Sequence, residues 1–267
     1  MAIGRMRPDG REPLYRNAPP WALTPVNWPG FPSGQRIRIE SRPRTVGGSV
    51  TRQATRNRRD GQRLKNLLRR ERELWAAGCE RVAGVDEAGM GPLAGPVVAA
   101  AVIFPPGKGL RGVHDSKQLT AAQRLERNEE IRRHALAFAV VRVEVAEIDA
   151  LNIYRAGLEA MRRAVLGLAV APDHVLVDAR RIPGVQAPQE VVIKGDSKCH
   201  AIAAASILAK TERDALMCRY DAEFPGYDFA AHKGYATSAH REAIRKLGPS
   251  PIHRRSFTLL PHPRLFD

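Results

Sequence analysis

The chain has 267 residues, 43% of them hydrophobic and 27% charged, a balance that suits a folded protein with a core of its own and no need of disulfide or metal staples. Against 28 Asp and Glu stand 43 Lys and Arg, a formal net charge of +15 that points to a polyanionic partner. No apolar stretch approaches the roughly 20 residues of a bilayer span, the first 30 residues lack the apolar centre of a secretory leader, and Cys79, Cys199 and Cys218 form neither a CxxC nor an even set; a membrane partner, a disulfide framework and a structural zinc site are set aside, and a cytoplasmic setting is expected.

Residues 1–61 carry 12 Arg, no Lys and 4 acids, together with 8 Pro and 7 Gly. No period of 2 or 3.6 is sustained there, so this basic, Arg/Pro-rich tail is expected to be disordered. It reads as an electrostatic arm for nucleic acid, a targeting peptide, or a misplaced start of translation. The folded domain is expected over residues 62–267. Leu64, Leu67, Leu68, Leu74 and Trp75 recur at helical spacing and Gly78 offers a stop. Short Val/Ile-rich runs predict five strands, at 81–86, 97–104, 138–145, 174–178 and 190–194. Helices are predicted from the capping-box pattern at Thr120–Gln123, then over 155–168, 198–220 and 238–247, the last ended by Gly248 and Pro249. Two adjacent early strands followed by β–α alternation predict an α/β fold: a central mixed sheet flanked by helices, with a small helical portion at the C-terminal end.

Four carboxylates close strands or follow them. Asp86 and Glu87 end the first strand, Asp178 ends the fourth, and Asp196 follows the fifth where the long helix begins. In open α/β sheets the strand ends form the ligand crevice. Like charges gathered there need cations to remain ionised, and oxygen-only ligands suit Mg²⁺ or Mn²⁺, two of which can activate water and stabilise a leaving oxygen in phosphodiester cleavage. Three of the acids also have a plainer reading, Asp196 as a helix N-cap and Asp86 and Glu87 as a solvated turn, whereas Asp178 is followed by Ala179-Arg-Arg-Ile-Pro183, which is no helix start for it to cap. The glycine segment Gly89-x-Gly91 has its third glycine at Gly95 and is followed by a strand, which excludes a dinucleotide fingerprint. Its glycines suit either a tight turn or close backbone approach to a phosphate or sugar hydroxyl.

The run Val82-Ala-Gly-Val-Asp-Glu-Ala-Gly-Met-Gly-Pro-Leu-Ala-Gly-Pro-Val97 resembles the opening motif of ribonuclease HII. The likeness continues through Asp115-Ser-Lys-Gln-Leu-Thr120, Val175-Leu-Val-Asp178, Lys194-Gly-Asp-Ser-Lys198, Ala203-Ala-Ala-Ser-Ile-Leu-Ala-Lys210, His232-Lys-Gly-Tyr235 and Pro251-Ile-His-Arg-Arg-Ser-Phe257, spanning about residues 70–260. The resemblance implies an RNase H-like fold and an endonuclease that cuts the RNA strand of RNA–DNA hybrids and incises 5′ of single ribonucleotides in duplex DNA, leaving 3′-hydroxyl and 5′-phosphate ends. It implies Asp86, Glu87, Asp178 and Asp196 as catalytic metal ligands for two Mg²⁺ or Mn²⁺ ions, Asp86 bridging them, Glu87 and Asp178 completing one site and Asp196 serving the other. It further implies that main-chain groups of Gly89, Met90 and Gly91 read the 2′-hydroxyl, that Tyr235 stacks on the following deoxyribose, and that Lys117 approaches the phosphates. The implied partner is nucleic acid, met by a monomer. Lys198, His200, Lys210, Arg241, Arg245 and Lys246 are candidates for a phosphate-tracking surface. One departure stands in the glycine motif: its familiar central Arg is here Met90, which leaves backbone recognition intact and removes a cationic contact. A non-catalytic nucleic-acid-binding protein on the same fold would be expected to lack a carboxylate, and all four are present. A ribonuclease HIII-like enzyme would carry a Lys in the glycine motif and a folded N-terminal domain.

Overall fold

The fold is read from a computed structural model that describes residues 49–260, with side chains from residue 58 onward. The expectation for residues 1–48 lies outside the described residues. From Arg52 on, the described chain forms one compact unit. Helix α1 (Ser49–Leu67) starts well before the expected position near Gln62, and α2 (Arg69–Ala76) follows it directly. The early start has a local cause. Residues 49–61 carry no apolar stripe, but Arg, Gln and Ala favour helix intrinsically and no proline occurs between Pro43 and Pro92. Burial begins only with the leucines: Leu67, Leu68 and Leu74 are buried, and Leu68 lies so close to Gly109 that a Cβ there would stand 2.6 Å from its Cδ1.

Five strands form one sheet: β1 (Val82–Ala88), β2 (Val97–Ile103), β3 (Ala137–Val143), β4 (His174–Asp178) and β5 (Gln189–Val192), in the order β3-β2-β1-β4-β5. β1 pairs antiparallel with β2, and β2 with β3, while β1–β4 and β4–β5 are parallel. This is the mixed sheet expected from the sequence, each strand within a few residues of its predicted span. Helices α3 (Ala121–His134), α4 (Val145–Leu151), α5 (Ile153–Leu166), α6 (His200–Glu223), α7 (Phe229–His232) and α8 (Ser238–Leu247) complete it. Thr120 and Gln123 form the capping box of α3. The third strand stops short of its expected end because Val145 opens α4 instead. Asn152, at φ 71°, then separates α4 from α5 and caps α5 by accepting the Arg155 N–H.

Period-2 alternation puts each strand's side chains on two faces. Val85, Val97, Ala99, Ala101, Val175 and Val177 pack on Ala156, Ala160, Met161 and Ala164 of α5. Val98, Ala100 and Val102 pack on Ala203, Ala204, Ile207 and Leu208 of α6. Gly84 allows α6 to lie directly on β1: a Cβ there would stand 2.1 Å from the Ala201 carbonyl carbon. Among the described residues no helix is long and apolar enough to cross a membrane.

Candidate active site

The central strand supplies the first two acids. Asp86 is opposite Ala100 of β2, and the parallel register Val85↔Val177 sets it beside Asp178 at the end of β4. It is 6% exposed, and its Oδ1 accepts the Glu87 N–H at 2.7 Å. Asp178 Oδ1 accepts the Gly195 N–H at 2.8 Å, which ties β4 to the 3-10 turn Gly195–Ser197 that carries Asp196. Asp196 is buried as well, and the Lys117 ammonium lies 3.3 Å from its Oδ2. Lys117 sits in a second 3-10 turn, Ser116–Gln118, capped by the Asp115 carboxylate. That turn is held to α6 by the 3.0 Å contact between the Ser116 and Ser206 hydroxyls.

Burial pushes the Asp86 carboxyl well above its ordinary value, and the charges of Glu87 and Asp178 push it further; the Ser206 hydroxyl and the Glu87 N–H pull the other way. Glu87 is raised too, by burial and by Asp178, against the opposing cations Arg180 and Lys117. The cause is one of crowding: like charges in a poorly solvated place. As they stand, no three His, Cys, Asp or Glu groups among the described residues enclose a common ion position. Asp86, Asp178 and Asp196 rest on their own donors instead. The set is nonetheless chemically suited to a hard divalent cation, being all-oxygen and only partly compensated by Lys117 and Arg180.

Asp196 does not cap α6. The N-cap is Cys199, without a side-chain bond, and the free Ala201 N–H goes to Glu71 Oε1 of α2 at 2.9 Å. The N-cap reading of Asp196 is thereby displaced by its pairing with Lys117.

Beyond β1 the chain turns through Gly89, at φ 99°, where a Cβ would meet Arg213 Nε at 2.3 Å; only glycine fits there. Gly91 is exposed and faces the Tyr235 ring, whose Cε1 would be 3.9 Å from an added Cβ. The Leu93 N–H donates to the Gly234 carbonyl at 2.8 Å, fastening the glycine loop to the His232–Tyr235 segment. Tyr235 is 44% exposed. Met90 is different: its thioether turns back over Gly157 of α5, where a Cβ would stand 2.8 Å from Sδ. The structure thus brings Gly89, Gly91 and Tyr235 together, and sends the Met90 side chain towards the core.

A family profile described as Ribonuclease HII matches residues 83–260. A ribonuclease HII of Myxococcus xanthus (strain DK1622) is 53% identical over 231 residues, 85% of this chain and 79% of the relative. One from Moorella thermoacetica is 53% identical over 196 residues, 73% of this chain and 95% of the relative. Among solved structures, the ribonuclease H2 of Pyrococcus horikoshii OT3 is 28% identical with a TM-score of 0.58, covering 67% of this chain and 94% of that one. The chain belongs to the ribonuclease HII family.

As a ribonuclease HII family member it is a metal-dependent endoribonuclease that degrades RNA in RNA–DNA hybrids. Sequence reading overlooked three arginines beside this centre. Arg180 follows Asp178, lies near enough to Glu87 to lower its pKa, and stacks over Tyr154 with Cζ 4.7 Å from the ring centroid. Arg213 and Arg254 are among the largest fully buried side chains. Helical spacing carries a signal for Arg213, since Ala209, Leu216 and Met217 at four before and three and four after it are all buried.

The proposed phosphate-tracking surface is corrected in part. His200 is 1% exposed and its Nε2 accepts the Leu110 N–H at 3.0 Å, so it faces the core. Lys210 pairs with Asp214, Arg245 and Lys246 pair with Glu242, and Arg241 donates to the Leu259 carbonyl. Their charges serve local contacts before any phosphate, because Ala-rich α6 is buried through its first three turns and the acids of α6 and α8 lie one helical turn from their bases.

Proposed function

We propose that this ribonuclease HII family enzyme, working as a cytoplasmic monomer, incises duplex DNA on the 5′ side of single embedded ribonucleotides as well as cutting hybrid RNA, by a two-metal mechanism that leaves 3′-hydroxyl and 5′-phosphate ends. The observation that carries this reading is that Asp86, Glu87 and Asp178 lie at neighbouring strand ends, with Asp196 in the turn tied to Asp178, and that Asp86 and Glu87 are held above their ordinary pKa values by burial and neighbouring carboxylates. A group of acids so crowded is a poor resting arrangement and a good cation receptor. Asp86, Glu87, Asp178 and Asp196 would hold two Mg²⁺ or Mn²⁺ ions, which when bound supply an activated water and stabilisation of the leaving oxygen.

The chain's own groups do the selecting. Main-chain groups of Gly89, Met90 and Gly91 meet the 2′-hydroxyl, the one feature that separates RNA from DNA at the cut. Tyr235, half exposed beside Gly91, offers a flat face for the next sugar. Lys117, with a side chain 79% exposed, is free to swing from Asp196 to a phosphate.

The test is incubation of a duplex DNA bearing one ribonucleotide with Mg²⁺ or Mn²⁺. We expect one incision 5′ of the ribonucleotide, reduced about 10³-fold in Asp86→Asn. An intact substrate, or equal incision by the variant, overturns the reading.

A further inference from the structure

Behind the glycine loop lie two guanidinium groups that meet no carboxylate within salt-bridge distance among the described residues. Arg213, on α6, is 1% exposed and Arg254, from the segment after α8, is fully buried. Their bonds go to main-chain carbonyls. Arg213 donates from Nε to Pro96 at 3.1 Å, from Nη2 to Ala94 at 3.0 Å and from Nη1 to Lys233 at 3.0 Å. Arg254 donates from Nη2 to Gly89 at 2.6 Å, from Nη1 to Met90 at 3.3 Å and from Nε to Gly95 at 2.9 Å. The loop from Gly89 to Pro96 is therefore fastened to two forks from beneath.

Trans peptide geometry gives this a directional consequence. The carbonyl of one residue and the N–H of the next point to opposite sides of the chain. With the Gly89 and Met90 carbonyls turned in towards Arg254, the N–H groups of Met90 and Gly91 turn away from it, on the side where Gly91 is exposed and Tyr235 stands. Among the described residues neither of those N–H groups finds a backbone acceptor. The bond from Arg213 to Lys233 fastens the Tyr235 segment to the same support, and the Arg213 Cζ lies 5.9 Å from the Tyr235 ring centroid. Two guanidiniums with only dipoles for partners also leave positive charge behind the loop, and carbonyls aligned on them present the positive ends of the peptide dipoles outward. This is the place where Met90 supplies no cation of its own.

We propose that Arg213 and Arg254 are positioning residues of the recognition loop: they hold its carbonyls inward so that the Met90 and Gly91 N–H groups face the substrate, and they supply from behind the positive charge that attracts the substrate backbone there. The inference rests on the reading that this loop meets the ribonucleotide. Arginine suits the task because its planar fork reaches several carbonyls at once, which a lysine ammonium on a single stem does not.

Steady-state incision of the single-ribonucleotide duplex by Arg254→Lys, Arg254→Gln and Arg213→Lys, across a range of salt concentrations and with thermal melting alongside, tests it. We expect Arg254→Lys to raise KM about tenfold, with kcat within about threefold of the parent and a salt slope like the parent's. Arg254→Gln should raise KM further and flatten the plot of log KM against log salt by up to about one unit. Should the Arg254 variants melt below the assay temperature, Arg213→Lys is read by the same KM criterion. Folded variants with unchanged KM and salt slope overturn the inference, as does a loss confined to kcat that follows the loss of melting temperature. Failure of the underlying reading looks different, because then the parent enzyme itself leaves the ribonucleotide duplex intact.

Discussion

Two buried charged clusters adjoin at the end of β1, and they are built on opposite principles. The acids Asp86, Glu87, Asp178 and Asp196 sit at strand ends and in the turn beyond β5, crowd one another, and have burial and repulsion driving two of them towards protonation. Burial lowers the pKa values of both Arg213 and Arg254, and the Arg213 charge lowers that of Arg254 further, yet each guanidinium is satisfied by three or more main-chain oxygens. One cluster is short of partners and the other is saturated with them. The difference teaches how a strongly basic chain handles a polyanion. On the proposed reading the acidic cluster would receive cations and the basic one would brace the loop that meets the substrate, and a net charge of +15 reveals neither.

The comparison breaks most sharply at Asp86. Beyond its loss of incision, Asp86→Asn should raise the melting temperature by a few degrees in metal-free buffer, since it removes one of several mutually repelling buried carboxylates; calorimetry showing a lower value would remove the claim that this cluster is held at a cost. Next in size is Gly84→Ala. It drives a Cβ into the backbone of α6, so that β1, which carries Asp86, is pushed away from the helix that carries Arg213. A loss of about 3 kcal/mol or more in denaturant unfolding is expected. A near-neutral result would mean that the two clusters do not depend on close strand–helix contact.

Lys117→Ala sharpens the comparison at the rim. The Lys117 side chain is largely exposed, so stability should change by less than about 0.5 kcal/mol, while KM for the ribonucleotide duplex should rise about tenfold. Unaltered kinetics would make it a screening cation for Asp196 and nothing more. At neutral pH the smallest effect is expected for His200→Gln, whose consequence emerges only on acidification. Burial pushes His200 down to about 4, so between pH 6.5 and 4 the unfolded chain takes up a proton that the folded one refuses. Its contribution to stability is complete above pH 6.5 and is lost as the pH falls through about 4. Removing it should make the fall of unfolding free energy with acidification shallower by up to about 1.4 kcal/mol per pH unit in that window. Parallel curves for the two proteins would place the titration elsewhere.

Much of this was legible in the residues. The five strands announced themselves through Val/Ile runs bounded by Gly, Pro or charged residues, and the α3 capping box through Thr120 and Gln123, because both signals are local. The helical start at Ser49 was not, since an apolar stripe was the criterion and that stretch has none. The short α4 was masked by Val145, a β-branched residue that continued a strand-like run while the backbone had already turned. His200 was misplaced for a related reason: a polar residue at the head of a helix reads as solvated until the burial of Ala201–Ala205 around it is known.

What the sequence by itself determined is the family, the sheet and the places of four acids at or just beyond strand ends, because strand period, strand-ending carboxylates and contiguous motifs are properties of neighbours in the chain. Tertiary structure decided the rest. Only folding sets Asp196 on Lys117 instead of on the helix end, lays Met90 over Gly157, and brings Arg213 and Arg254 under the glycine loop. The physical reason is that a carbonyl is present at every residue and carries no sequence signature. Which carbonyls a buried guanidinium will find is settled only when distant segments pack and every buried donor must be satisfied.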